Sequence, residues 1–253
     1  TYLEGIKEGP FFLKALRAAS LEKPVILWKV GLTREGGRAA ASHTGALAGS
    51  REIWEGVVQQ GGAVPVVGFE EWVDTLMGFS LLPTGVGDRM GIISGPGGLA
   101  VSAAEACGDN GLTLAPLSPE TRAAMAKFVP PTGTSLQNPV DVGLTASLDI
   151  EIYIQAARTI AADPGVDAVA IAGIGLNPGG NQRYTEAIIQ AQKDSQKPFF
   201  MVKIPGFDLE LAQKFCEAGV PFFETAERAM STYAKVRRYQ SWRETGGSLG
   251  ARD

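Results

Sequence analysis

Two rhythms of apolar and polar residues alternate along this chain. Short runs such as VILW from Val25, MGII from Met90, VDAVAIAGI from Val166 and FFMV from Phe199 are almost wholly apolar, as strands covered on both faces are. Between them, apolar residues recur at helical spacing over Pro10–Leu21, Asp149–Ala162 and Gln182–Asp194. An alanine-rich helix follows the Ser94–Gly98 turn and is expected to end at Gly108 or Gly111. LTLAPLS is a short strand, after which Ser118 caps a helix with Pro119 in its first turn, running to just before Phe128. Strands that alternate with helices predict an α/β fold with doubly wound parallel sheets.

The pattern also repeats. KPVILWKVG from Lys23 matches KPFFMVKIPG from Lys197, and QGGAVPVVGFEEWVDTL matches EAGVPFFETAERAMSTY further on. Each copy reads as strand, helix, glycine turn, short strand and final amphipathic helix. Between Pro24 and Pro65 the first copy carries a long extra stretch that has no counterpart between Pro198 and Pro221, and it falls at Gly31–Gly49. A glycine-rich excursion inserted into a compact α/β unit is a functional feature more often than a structural one. Ahead of its repeat the second copy has a complete strand set, in the expected order 2-1-3-4-5. The first has two and a half strands, so its opening strands are expected upstream of Thr1. The expected boundaries are 1–85 for the first, N-terminally truncated domain, 86–240 for the second and 241–253 for a linker or tail. The open sheet edge of the first domain then needs a cover: a partner chain, the second domain, or a swapped copy that would make a homodimer.

Composition narrows the function. At 253 residues, 45% hydrophobic and with a formal net charge of −4, the chain has no basic stripe for nucleic acid. No apolar run is long enough to span a membrane. Two distant cysteines, Cys107 and Cys216, in apolar helical contexts fit buried thiols in a reducing cytoplasm better than a disulfide. One histidine and two cysteines do not make an ordinary zinc site, and no metal ligands are assigned.

That single histidine, His43, lies in the inserted stretch, flanked by Ser42, Thr44 and Gly45, which are small enough to let the ring enter a narrow site. A neutral imidazole can attack with one nitrogen while the other donates to a carboxylate. Glu4, at the end of the first strand, stands at the carboxyl edge of the sheet beside the strand that feeds this stretch; it is either that carboxylate or an exposed acid like Glu8. In the second domain the crevice of a 2-1-3-4-5 sheet lies between the turns after its first and third strands. These are Ser94–Gly98 and Gly173–Gly180, the two turns richest in glycine. Glycine backbones and the helix starts that follow can hold an anion, which makes Ser94, Gly95, Gly97, Gly98, Gly175, Gly179 and Gly180 candidates. NPVDVG, Asn138–Gly143, reads as an extended brace for the next helix.

Taken together, RAAASHTGALAGS, YLEGI, SGPGGLAVSAAEA and NPVDVG resemble the NDP-forming acyl-CoA synthetases, relatives of succinyl-CoA synthetase. The resemblance runs from about Tyr2 to Arg238 and implies two flavodoxin-like domains, the second a ligase-CoA domain. It further implies the reversible conversion of acyl-CoA, phosphate and ADP to acid, CoA and ATP. In that family an acyl phosphate forms first, and a histidine on a mobile loop carries the phosphoryl group to a nucleotide in an ATP-grasp domain. By motif match His43 is the phosphorylated residue, Glu4 its supporting glutamate, and the helix start near Gly179–Gly180 one of two phosphate-holding N-termini. The CoA-binding domain expected upstream and the ATP-grasp domain expected after the tail, in the same chain or a separate subunit, are not in this sequence. CoA, ATP or ADP and Mg²⁺ are expected for the whole enzyme and no cofactor for this part, which by itself is expected to be inactive. Two other readings compete: a non-catalytic acyl-CoA or nucleotide sensor, which needs neither His43 nor Glu4, and a flavodoxin-like nucleotide or flavin module, which leaves the inserted stretch unexplained.

Overall fold

A computed structural model of the chain describes residues 1–44, 49–83, 87–143, 149–173, 178–203 and 209–247. They divide into two units, Thr1–Phe79 with the chain from Lys235 onward, and Ser80–Ala234.

In the first unit β1 (Tyr2–Leu3), β2 (Ile26–Lys29) and β3 (Val64–Val66) form a parallel sheet in that order. Pairing of Tyr2 with Trp28 and Leu3 with Lys29 puts the ends of β1 and β2 level at one edge. Alternation along β2 then sorts the helices. Leu27 joins Leu16 of α1 (Gly9–Glu22) and Trp54 and Val58 of α3 (Arg51–Gly61) on one face. Ile26 and Trp28 face Trp72 and Phe79 of α4 (Phe69–Leu81) and Tyr239 and Trp242 of the last helix on the other. Ser50 caps α3 by accepting from the Ile53 amide. Gly62 ends it at φ 69°, where any Cβ would lie 2.1 Å from the Trp242 ring.

The second unit has the expected order. Its sheet runs β5 (Thr113–Leu114), β4 (Arg89–Ser94), β7 (Ala168–Ala172), β8 (Phe199–Val202), β9 (Phe222–Phe223), all parallel. A sixth short strand, β6 (Val140–Asp141), which the apolar pattern does not reveal, pairs with the end of β4. The central strands are buried along almost their whole length because helices cover both faces. Tyr153 and Ile154 of α7 (Ile150–Ala161), Tyr184 and Ile188 of α8 (Pro178–Ser195) and Phe215 of α9 (Leu209–Glu217) pack with Ile93, Ile171 and Met201. Phe200, pointing the other way from Phe199, meets Phe223 and Tyr233 of α10 (Ala226–Glu244). Ser102 of α5 (Gly97–Asp109) donates to Glu227 on that same face at 2.6 Å.

Several expectations change. The helix after the Ser94–Gly98 turn stops at Asp109, with Gly111 at φ 69° just beyond it. The capped helix α6 (Pro119–Met125) forms as expected, Ser118 accepting from the Thr121 amide. Residues 241–244, expected in a tail, continue α10, and from Lys235 onward the chain belongs with the first unit: the Tyr239 hydroxyl donates to the Ser20 carbonyl at 2.8 Å, and its ring meets Phe79. The two compact units divide at Phe79/Ser80 and Ala234/Lys235. Both cysteines are free thiols, Cys107 buried and Cys216 only half-buried.

Candidate active site

The largest correction concerns His43. Instead of a glycine-rich loop, Arg34–Thr44 form a helix, α2, and His43 sits in its last turn. Local chemistry accounts for it. The Thr33 hydroxyl accepts from the Gly36 amide at 3.0 Å, Glu35 sits in the first turn, and Ala39–Ala41 are the best helix formers. Gly31 turns the chain at φ 81°, and a Cβ there would stand 3.4 Å from that of Ala40, so α2 can lie close over the strand ends. Ala40 is buried and His43 follows three residues later, one turn along the same face. Residues 45–48 of the inserted stretch lie outside the described residues.

This helix brings His43 to Glu4. The His43 Nδ1 is 2.9 Å from Glu4 Oε2, with the imidazole largely exposed and the carboxylate side chain 20% exposed. A carboxylate can only accept, so the shared proton is on Nδ1, and in the neutral imidazole Nε2 carries the lone pair. Glu4 raises the His43 pKa above its ordinary value, first by the hydrogen bond and then by its charge, against a smaller opposing effect of desolvation. The pair lines a cleft of about 310 Å³ with Tyr2, Val30, Gly31 and Gly36.

Two neighbours were not singled out from the sequence. The Lys29 ammonium donates to the Glu4 carbonyl at 2.9 Å and to the Val30 carbonyl, tying together the ends of β1 and β2; burial lowers its pKa, opposed by the Glu4 charge. The Tyr2 hydroxyl donates to Glu4 Oε1 at 3.4 Å. Desolvation, followed by the Glu4 charge and hydrogen bond, raises the Tyr2 pKa. The available signal was position: both are polar tips where an apolar strand reaches the sheet edge.

In the second unit β4 and β7 are neighbours, with Ser94 level with Ala172, so the turns that follow them flank the switch point of the sheet. Ser94 is fully buried and its hydroxyl donates to the Pro96 carbonyl at 2.9 Å, closing the turn. Gly95 lies within that turn, and Gly97 and Gly98 open α5. A Cβ on Gly97 would come 2.9 Å from Asp141 Oδ2, so a carboxylate already occupies the neighbourhood of this turn. Gly179 and Gly180 are in the first turn of α8, whereas Gly175 lies outside the described residues. NPVDVG is structural, but it braces the sheet rather than the next helix. Asn138 accepts from the Ile92 amide and donates to the carbonyls of Met90 and Ala115, while Asp141 accepts from the Gly143 amide.

These two units are a flavodoxin-like pair, one with a histidine–carboxylate couple at the sheet edge and the other with glycine turns at its switch point. Comparison with known proteins agrees. Residues 1–79 match the succinyl-CoA ligase like flavodoxin domain and residues 90–174 the ligase-CoA domain. The chain thus carries both of these domains and is similar to ADP-forming acyl-CoA ligases over nearly its whole length. It is 34% identical over 257 residues to the acetate–CoA ligase [ADP-forming] II subunit alpha of Pyrococcus furiosus, covering 98% of this chain and 54% of that subunit. It is 31% identical over 248 residues to the 4-hydroxybutyrate–CoA ligase [ADP-forming] of Nitrosopumilus maritimus, covering 95% of this chain and 34% of that protein. A solved structure of the dinucleotide-forming acetyl-coenzyme A synthetase 1 of Ca. Korarchaeum cryptofilum, in complex with phosphate and ADP, superposes with a TM-score of 0.82 at 29% identity, covering 98% of this chain and 55% of that one. The chain thus spans about half the length of the Pyrococcus subunit and the Korarchaeum chain.

Proposed function

We propose that this chain is the phosphoryl-carrying part of an ADP-forming acyl-CoA synthetase, an acid–thiol ligase. The observation that carries this reading is the His43–Glu4 contact, which fixes the tautomer of an exposed imidazole and leaves Nε2 nucleophilic. A sensor or a flavin module has no use for that pair, so the catalytic reading is preferred.

The steps follow from the chemistry. Phosphate displaces CoA from acyl-CoA, giving an acyl phosphate and the free thiol. The Nε2 lone pair of His43 attacks the phosphorus, the bond to the acyl oxygen breaks, and the acid leaves as its carboxylate. The imidazole gains positive charge, which Glu4 stabilises through Nδ1–H. ADP then takes the phosphoryl group, giving ATP and neutral His43. Phosphate and acyl phosphate are assigned to the start of α8, where Gly179 and Gly180 lie in the first turn, whose amides lack intrahelical partners, and the helix dipole favours an anion. Gly95, Gly97 and Gly98 form the neighbouring wall, and the Asp141 carboxylate beside Gly97 directs the anion towards α8.

CoA and the nucleotide are assigned to further domains, a CoA-binding domain and an ATP-grasp domain, fused or on a partner subunit. Mg²⁺ is assigned there too, with the nucleotide it would accompany. The test is phosphopeptide mapping of the complete enzyme after incubation with ATP and Mg²⁺. An acid-labile, alkali-stable phosphate is expected on His43 and none in His43→Asn; a phosphate that persists in that variant overturns the reading.

A further inference from the structure

The motif residues leave one side chain at the switch point unexplained. Tyr153 lies on α7, is 1% exposed, and is far in sequence from either glycine turn. Its hydroxyl nevertheless stands where a side chain on Gly95 would begin: a Cβ there would lie 2.0 Å from the oxygen and 3.1 Å from the ring carbon that bears it. A Cβ on Gly173 would meet the same oxygen at 3.1 Å, the Pro96 ring at 3.0 Å and the Gly95 nitrogen at 3.5 Å. One phenol therefore fills the space beside both Gly95 and Gly173, which follow the paired ends of β4 and β7. On its other side the ring meets Tyr184 of α8 edge-on, with centroids 6.1 Å apart.

We propose that Tyr153 is a positioning residue for the anion site at this switch point, its hydroxyl setting the spacing of Gly95 and Gly173 at the ends of β4 and β7 and its ring the placement of α8. The choice of residue supports this. A buried hydroxyl costs free energy that a phenylalanine would avoid, and here it lies directly against the Gly95 and Gly173 positions. Glycine is required at 95 for the complementary reason: the turn has ceded the volume of its side chain to the hydroxyl. Anything that displaces the phenol lets these two positions close or separate. Transfer geometry tolerates errors of only about 1 Å before rates fall by roughly a hundredfold.

This inference rests on the phosphohistidine reading, and the experiment separates the two. In the complete enzyme, phosphorylated His43 can be discharged by acid plus CoA, which uses the second unit's anion site, or by ADP, which does not. Tyr153→Phe is expected to slow the first discharge by about tenfold or more and leave the second unchanged. Gly95→Ala is expected to suppress the first discharge more strongly. Combining it with Tyr153→Phe should restore part of the loss, because the 2.0 Å clash is removed and only the 3.1 Å contact remains. Equal rates for Tyr153→Phe and wild type, equal slowing of both discharges, or a double variant no better than Gly95→Ala would each overturn the proposal. Failure of the wild-type enzyme to phosphorylate His43 would instead overturn the reading beneath it, and this proposal with it.

Discussion

His43 Nδ1 and Glu4 Oε2 stand 2.9 Å apart although 39 residues separate them in the chain. A strand end supplies one partner and the last turn of a helix the other. Both are anchored: Lys29 holds the Glu4 backbone, and Ala40 is buried one turn before His43.

Replacing Glu4 by Gln keeps the shape and a hydrogen-bonding oxygen but removes the charge that opposes the cation formed on phosphorylation. The contact is open to solvent, so the effect belongs at the lower end for charge-assisted hydrogen bonds, about a tenfold slower phosphorylation of His43. Rapid-quench measurement of phosphoenzyme formation tests this. An unchanged rate would return Glu4 to the status of a surface acid.

The same contact sets a pH dependence. Only neutral His43 can attack, and Glu4 holds its pKa above the ordinary value near 6.5. Phosphorylation by acyl phosphate should therefore decline as pH falls through that raised pKa, and in Glu4→Gln the inflection should move to lower pH. For stability the sign is opposite. A raised histidine pKa contributes stability that is fully present below the unfolded value and is lost as pH rises through the folded one. An NMR titration of the only imidazole gives the midpoint directly, and a midpoint that Glu4→Gln leaves in place would contradict the assignment.

The sheet order could be read from the chain because it follows from apolar runs; where the first strand ends made Glu4 only a candidate, with an exposed acid like Glu8 the alternative, and the resemblance implied its pairing with His43. The helix α2 could not be read. Gly31, Gly36 and Gly37 look like loop residues, yet Gly36 fits against the backbone of Gly31, and the signals that win are the Thr33 cap and Ala39–Ala41. A structural role for Asn138 was visible in its X-Pro context, but not its partners on β4 and near β5, which only the fold assembles. Tyr153 looked like one more apolar position on an amphipathic helix, because the contact that distinguishes it is with residues that have no side chain.

The two thiols should differ in reactivity. Burial pushes the Cys107 pKa up to about 12, while Cys216 is half-buried and less perturbed. Since the thiolate is the nucleophile, an aromatic disulfide reagent at pH 8 should titrate Cys216 slowly and Cys107 only once the chain is unfolded. Prompt reaction of both thiols in the native protein would contradict this placement.

Asn138 offers the sharpest test of the second unit. Its Oδ1 accepts from the Ile92 amide at 2.9 Å, and its Nδ2 donates to Met90 and Ala115 carbonyls at 2.7 and 2.9 Å. One side chain thus satisfies three backbone groups at and beside the central strand, just before the β6 pairing to the end of β4. Asn138→Ala removes these partners from the Ile92 amide and the Ala115 carbonyl, while the Met90 carbonyl keeps the Ala115 amide at 2.9 Å. Each unsatisfied group costs about 1–3 kcal/mol when buried, and partial access of water to this half-buried site reduces the sum, so a loss of about 2–4 kcal/mol is expected. Asn138→Asp discriminates further. It keeps the volume and the acceptor for Ile92, but turns a carboxylate oxygen towards two carbonyls. If hydrogen bonding is the role, Asp should cost at least as much as Ala; if Asn138 merely fills space, Asp should be mild. Urea unfolding of the two variants, followed by tyrosine and tryptophan fluorescence, reads the difference directly, and a mild Asp variant would refute the hydrogen-bonding account.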